Sequence, residues 1–182
     1  MRLPVPPVYL WKEAIGRVNA KGTYVNLSDG GHIENLGVYE LLRRRCKYII
    51  AVDAGTDKDF EFGSLVKLIR FARIDMGIDI EIELNDLRQD PDGFNHNHWA
   101  LGKIQYSESE IGHLLYIKVA LTGDENEYIR EYRSRYPDYP HQPMTYQFFD
   151  EPQYEAYRAL GYHSTNKMFD EISEMTDFKL FE

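Results

Sequence analysis

Between residues 78 and 84 the chain alternates without a break: Ile78, Ile80, Ile82 and Leu84 against Asp79, Glu81 and Glu83. A period of two is the repeat of a β-strand, whose successive side chains point to opposite faces. This segment therefore reads as a strand with one face buried and one in water. The residues before it keep a different period. Phe62, Leu65, Val66, Ile69 and Ala72 recur mostly at spacings of three and four between Phe62 and Met76, which gathers them on one stripe of a helix. A helix running straight into a half-buried strand calls for a sheet with helices laid against it.

The rest of the first half repeats that grammar. Thr23 to Leu27 is β-leaning, Asn35 to Cys46 reads as a helix through Leu36, Tyr39, Leu42 and Cys46, and Tyr48 to Val52 is a compact apolar strand ending in Asp53-Ala54-Gly55. Strands separated by helices pair in parallel through crossovers. The second half differs. Asp86 to His98 is a polar loop turning at Asp90-Pro91-Asp92-Gly93. Trp99 to Tyr106 and His113 to Leu121 read as a hairpin. Asp124 to Tyr136 is helical, with Asp124 and Glu127 at capping-box spacing. Pro137 to Pro143 breaks the chain. Pro152 to Leu160 is a further helix with Gly161 just past its end, and a weaker helix follows Ser164. The expected fold is α/β in three layers, α/β/α, with a mostly parallel sheet in the first half and a C-terminal hairpin plus helices. The expected organisation is one incomplete domain over residues 1–182: an extended lead-in at 1–22, a strand-helix-strand core at 23–84, hairpin and helices at 85–163, and a tail at 164–182.

Charge and composition exclude several functions. A formal net charge of −9 opposes a nucleic-acid partner, which needs clustered positive surface. It equally opposes docking on anionic lipid by charge alone; the one basic cluster, Arg43-Arg44-Arg45 with Lys47, is short. A single cysteine, Cys46, allows no intrachain disulfide and points to a reducing, cytoplasmic setting. No run approaches the ~18–20 apolar residues of a membrane span. No cofactor motif stands out.

The stretch that carries chemistry is Ser28-Asp29-Gly30-Gly31-His32-Ile33-Glu34-Asn35-Leu36-Gly37. It reads as a strand end, a glycine turn and a helix start. Adjacent glycines allow a reversal with positive φ and leave the space beside Asp29 open. A carboxylate at the C-terminal tip of a strand in an open α/β sheet sits where such folds place ligands. Asp-Gly alone is a common turn pair, so the longer string carries the reading.

That string, followed by Asp53-Ala54-Gly55, resembles the C-terminal block of the patatin-like phospholipases, and within that family a bacterial group. The group IV cytosolic phospholipases share its Asp-Gly-Gly and following Asn. Looser similarity continues at Trp99 to Ile104, Leu121-Thr122-Gly123, and Phe148 to Glu151 with Tyr154 to Arg158, so the resemblance spans about Gly22 to Gly161. It implies hydrolysis of acyl esters, phospholipid among them, by a serine–aspartate dyad with no cofactor. Asp29 matches the dyad aspartate, and Gly30 and Gly31 match its turn. His32, Asn35 and Asp53 are expected to border the pocket or serve the turn. The serine of a G-x-S-x-G elbow has no counterpart in this sequence. The nearest string, Gly161-Tyr162-His163-Ser164-Thr165, lacks the second glycine, and Ser164 reads as a helix N-cap. With 28 residues ahead of Asp29, the expectation is the C-terminal part of a lipid acyl hydrolase. Alone it would be inactive, and it would partner an N-terminal half or itself. It would lie in the cytoplasm or at the inner face of a membrane, with Tyr48 to Val52 as an exposed strand. The alternative is a non-catalytic interaction module of the same descent.

Other residues read as bland. His32 could serve a Ser–His–Asp arrangement but more simply borders the pocket or caps the helix start. His96 and His98 form an H-x-H pair that lacks a third ligand at zinc spacing, so no metal site is expected and the loop reads as solvated. Tyr128, Tyr132, Tyr136 and Tyr139 read as packing against further polypeptide, or as a rim facing lipid.

Overall fold

The computed structural model describes residues 11–12, 14–17, 21, 29–143, 145 and 148–174. The chain clusters into two units, 1–33 and 34–182. In the first, Ile15 N–H bonds the Trp11 carbonyl at 3.1 Å, so the expected extended lead-in holds a helical turn. The strand expected at Thr23 to Leu27 lies outside the described residues.

Residues 34–182 form one sheet in the order β1-β4-β3-β2, with β1 at Tyr48–Asp53, β2 at Asp79–Ile82, β3 at Trp99–Ser107 and β4 at Glu110–Lys118. β3 and β4 are the expected hairpin, with Leu101 opposite Leu115. β1 runs parallel to β4, placing Ile50 opposite Leu115. β2 runs antiparallel to β3, placing Ile80 opposite Ile104. The α/β class holds, but the sheet is not mostly parallel. β1 and β2 run in the same direction, and the hairpin lies between them. Strand periodicity fixes which face is buried and leaves the choice of neighbour open. Here the two nine-residue hairpin strands, apolar on both faces at Leu114–Ile117, claim the centre.

Helices α1 (Tyr39–Arg43), α2 (Gly63–Met76), α3 (Glu127–Arg135) and α4 (Glu151–Glu174) complete the unit. Leu42 of α1 and Leu65, Leu68 and Ala72 of α2 pack with Ile49, Ala51, Ile80, Ile104, Leu114 and Tyr116. The alternate residues Leu115 and Ile117 face the other way, with Trp99, onto Met168 of α4. Each fully buried Leu or Ile in these layers contributes roughly 1.5–3 kcal/mol. Tyr132 and Tyr139 pack internally with Ile129, Ala156 and Leu160, so half of the tyrosine run belongs to this unit's own core. On the outer face of β1, Ile50 and Val52 stand 59% and 66% exposed, as expected for that strand.

Three helices have boundaries that differ from those expected. The helix expected over Asn35 to Cys46 is confined to Tyr39–Arg43. Gly37 at φ +69° breaks it at the front, and the buried Glu34 carboxylate caps it by accepting the Leu36 and Tyr39 N–H groups at 2.8 and 3.2 Å. At the rear, Arg45 takes φ +54°, while Arg45 N–H and Cys46 N–H bond the Leu42 and Leu41 carbonyls, the pattern of a left-handed helix stop. The capping box of Asp124 is not formed. Asn126 caps α3, accepting from Ile129 N–H at 3.0 Å. The last helix does not stop at Gly161 but continues to Glu174, because Leu160, Ser164 and Met168 bury one stripe across the glycine. Ser164 is therefore mid-helix, not an N-cap; Asp150 fills that role through Gln153 N–H at 2.8 Å. Among the described residues, no helix is long and apolar enough to cross a membrane.

Candidate functional site

Asp29 heads a single 3₁₀ turn, Gly30–His32. Its backbone is extended, at φ −61° and ψ 134°, and its carboxylate Oδ1 accepts Gly31 N–H at 3.0 Å. This is the geometry of an N-cap aspartate: the side chain takes a donor that the first turn leaves unpaired. His32 N–H and Ile33 N–H close the turn on the Asp29 and Gly30 carbonyls at 3.1 and 2.9 Å. The turn is open to solvent at Asp29, Gly30, His32 and Ile33. The two glycines lie within this turn, so the expected positive φ falls instead at Gly37. A Cβ on Gly30 would meet nothing within 4 Å. His32 Nδ1 donates to the Asp29 backbone carbonyl at 3.3 Å, which ties the ring to the turn.

Asn35 stands exposed in the bend that leads into α1. Asp53 is buried and serves the turn. Its Oδ1 accepts Gly55 N–H at 2.9 Å, and its Oδ2 accepts the Tyr116 hydroxyl at 2.6 Å. Lys118, fully buried, sits 3.2 Å from Asp53 Oδ2 and donates to the Gly55 carbonyl at 3.0 Å. Asp57 lies 3.8 Å from the same ammonium and accepts Glu61 and Phe62 N–H at 3.0 and 2.9 Å at the start of α2. Burial, then the Asp53 charge, pushes the Tyr116 phenol well above its usual range. Asp53 is thus a sealed turn residue that fixes the β1–α2 connection.

A second polar cluster joins the start of β3, the β4–α3 loop and the middle of α4. His98 is fully buried there. Its Nδ1 meets Ser164 Oγ at 3.1 Å, and its Nε2 meets Thr122 Oγ1 at 3.1 Å. The Thr122 hydroxyl donates in turn to Asp124 Oδ1. That oxygen also meets His163 Nε2 at 3.1 Å, and Lys167 Nζ pairs with Oδ2 at 2.8 Å. Glu125 is buried and accepts Thr122 and Gly123 N–H at 2.5 and 3.0 Å. Burial, then the nearby His163 and Lys167 charges, holds the His98 imidazole down at about 4. For Asp124, burial on its own would raise the carboxyl; hydrogen bonds from Lys167, Thr122 and His163 outweigh it and hold it well below the usual range. An open groove of about 670 Å³ runs past Asp124, His163 and Lys167.

No protein family, no curated protein and no solved structure matches this chain.

The H-x-H pair therefore does not act as a pair. His96 is exposed and His98 is sealed. The partners of His98 come from Thr122 and Ser164, far along the chain. One signal for them exists in the sequence: His163 and Lys167 are four apart and share a helix face. It is visible only if the helix is read through Gly161.

Proposed function

We propose that this chain supplies the aspartate half of a serine–aspartate acyl-ester hydrolase of the patatin-like phospholipase type. The observation that carries the reading is Asp29: an exposed carboxylate heading a tight Gly-Gly turn, with Oδ1 oriented by Gly31 N–H at 3.0 Å and open space beside Gly30. A serine from polypeptide outside these residues would attack the ester carbonyl, because no G-x-S-x-G elbow occurs in the 182 residues. Asp29 would accept or orient the serine proton as the acyl–enzyme forms, and that proton would leave with the departing alcohol. Water would then attack the acyl–enzyme, its hydroxyl leaving in the fatty acid and its other proton restoring the serine hydroxyl. A carboxylate is a weak base for a hydroxyl, so most of the acceleration would rest on oxyanion donors beside the serine. The substrate is a lipid or other acyl ester, and the setting is the cytoplasm or the inner face of a membrane.

One observation favours a second reading, a non-catalytic interaction module. Ser164, in the string nearest to an elbow, is buried mid-helix against His98 and is closed to an ester.

Two assays separate the readings. The 182-residue chain alone is expected to show neither p-nitrophenyl ester hydrolysis nor fluorophosphonate labelling. A polypeptide that joins this chain to its elbow-bearing segment is expected to hydrolyse the ester and to lose about 10²–10⁴-fold in rate on Asp29→Asn, with its circular dichroism unchanged. Near-normal turnover in that variant ends the hydrolase reading. No turnover in the joined wild type leaves the module reading in its place.

A further inference from the structure

We propose that His98, His163 and Asp124, with Glu125 behind them, form a binding site for a divalent transition-metal cation of the zinc class. The site is independent of the acyl-hydrolase reading. It uses neither Asp29 nor the turn around it.

One ligating atom from each of His98, Asp124, Glu125 and His163 lies within 4.8 Å of every other. Two imidazoles and a carboxylate are the donor set that borderline cations such as Zn²⁺ take. The two rings approach edge to face with centroids 5.4 Å apart. Asp124 Oδ1 is the shared point of the cluster, 3.1 Å from His163 Nε2 and joined to His98 Nε2 through the Thr122 hydroxyl. A cation there would replace the Thr122 hydroxyl as the link between His98 Nε2 and Asp124 Oδ1, taking the place of the proton on Nε2. Four donors around zinc stand about 3.3 Å apart, so the widest pairs of the cluster must close by up to about 1.5 Å. His98 is fixed by burial. Asp124 on its loop and His163 on the groove side of α4 are partly exposed and can supply the movement.

The surroundings carry the second half of the argument. Ser164 Oγ meets His98 Nδ1 at 3.1 Å. The Thr122 proton goes to Asp124, so in the cation-free cluster His98 Nε2–H donates to Thr122 Oγ1 and Ser164 donates to Nδ1. With a cation on Nε2 the ring proton moves to Nδ1. Ser164 Oγ, turned to accept it, would hold the ring in the metal-binding tautomer, the usual task of an outer partner at a metal-bound histidine. The buried Glu125 carboxylate adds a negative charge beside the site, and its two backbone N–H contacts hold it in place. Lys167 is the opposing feature, since an ammonium competes with a dication. It pairs with Oδ2, leaving Oδ1 toward the histidines. It also borders the open groove, into which its flexible stem can withdraw. The groove leaves an open side to the cation, the arrangement in which a fourth or fifth position is filled by water or by a ligand.

The test is titration of the tag-free, chelator-stripped chain with Zn²⁺ by calorimetry and with Co²⁺ by visible absorption. One equivalent is expected to bind, with a Co²⁺ ligand-field band. His163→Gln and Asp124→Asn alter partly exposed side chains and keep the fold, as circular dichroism checks. Each is expected to weaken binding by at least about 10–100-fold, and Ser164→Ala by about 10-fold. Lys167→Met removes the competing charge and is expected to tighten binding. His96→Gln is expected to change nothing. The proposal is overturned by the absence of a saturable one-equivalent event. It is equally overturned by affinity that survives both His163→Gln and Asp124→Asn, or that is lost on His96→Gln instead.

Discussion

Lys118 and Asp53 face each other across the last rung of the parallel β1–β4 pair, with Nζ 3.2 Å from Oδ2 and side chains only 1% and 6% exposed. A buried ion pair returns little net stability, because desolvation consumes the attraction, but breaking it strands a charge in the interior. Asp53→Asn and Lys118→Met are each expected to destabilise the fold by about 3–5 kcal/mol. The double variant should cost less than the sum by roughly 1–3 kcal/mol. Urea unfolding of the four proteins checks this. Additive losses would show that the two side chains act independently.

His141 gives the fold an acid-sensitive point. It is buried, its Nδ1 accepts Asp57 N–H at 3.4 Å, and its Nε2 has no hydrogen-bond partner among the described residues. The edge-to-face Phe60 ring, 5.1 Å away, offers it nothing polar. Burial, then the Lys118 charge, lowers its pKa from 6.5 to about 4. The unfolded chain therefore takes up this proton first as pH falls. The stability tied to neutral His141 is complete above pH 6.5 and is lost as the pH drops toward about 4. Between pH 7 and pH 4 the loss from this one group is on the order of 2–3 kcal/mol. His141→Gln should remove that part of the acid slope, read from denaturation midpoints at the two pH values. An unchanged slope would mean that the ring does not titrate with folding.

Much of the fold was legible because periodicity reports burial. The alternation at Ile78–Leu84 marks β2, the three-four spacing after Phe62 marks α2 to within one residue, and the hairpin's first strand ends within one residue of expectation while its second lies three residues earlier at both ends. Pairing was not legible. Nothing local in β1 or β2 states that a hairpin formed later in the chain will lie between them, since strand order is set by tertiary packing. Helix limits failed where one residue opposed its neighbours. Gly37 and Arg45 shortened α1 through positive φ, and Gly161 was overridden by the stripe it interrupts. At the candidate sites, the Asp29 turn was readable from adjacent residues. Neither of its glycines takes the positive φ expected of it, and Gly30 leaves open space where a Cβ would stand. The His98 cluster was not readable, because its members are 24 and 66 residues apart along the chain and meet only once α4 crosses the sheet.

Gly112 is required by a close approach. A Cβ there would lie 2.7 Å from Tyr106 Cε2 and 3.1 Å from the Lys47 carbonyl. The Tyr106 ring cannot retreat freely, since its hydroxyl donates to the Cys46 carbonyl at 2.6 Å. Gly112→Ala is expected to cost about 1–3 kcal/mol as an overpacked site. Part of this should return when Tyr106 is trimmed to Leu. Thermal unfolding of the single and double variants tests the contact.

Gly161 predicts the opposite sign. It lies inside α4, which runs from Glu151 to Glu174, and it is exposed. Its φ is not among the positive ones, and an added Cβ would meet nothing within 4 Å. Glycine in a helix interior forfeits backbone entropy that alanine does not. Gly161→Ala is therefore expected to stabilise by roughly 0.5–1 kcal/mol, largely by restricting the unfolded chain, and to raise the denaturation midpoint without changing its slope. If α4 stopped at Gly161 in a left-handed cap, the same substitution would destabilise. The sign of the shift thus reports whether the helix that carries His163, Ser164 and Lys167 to His98 is continuous in solution.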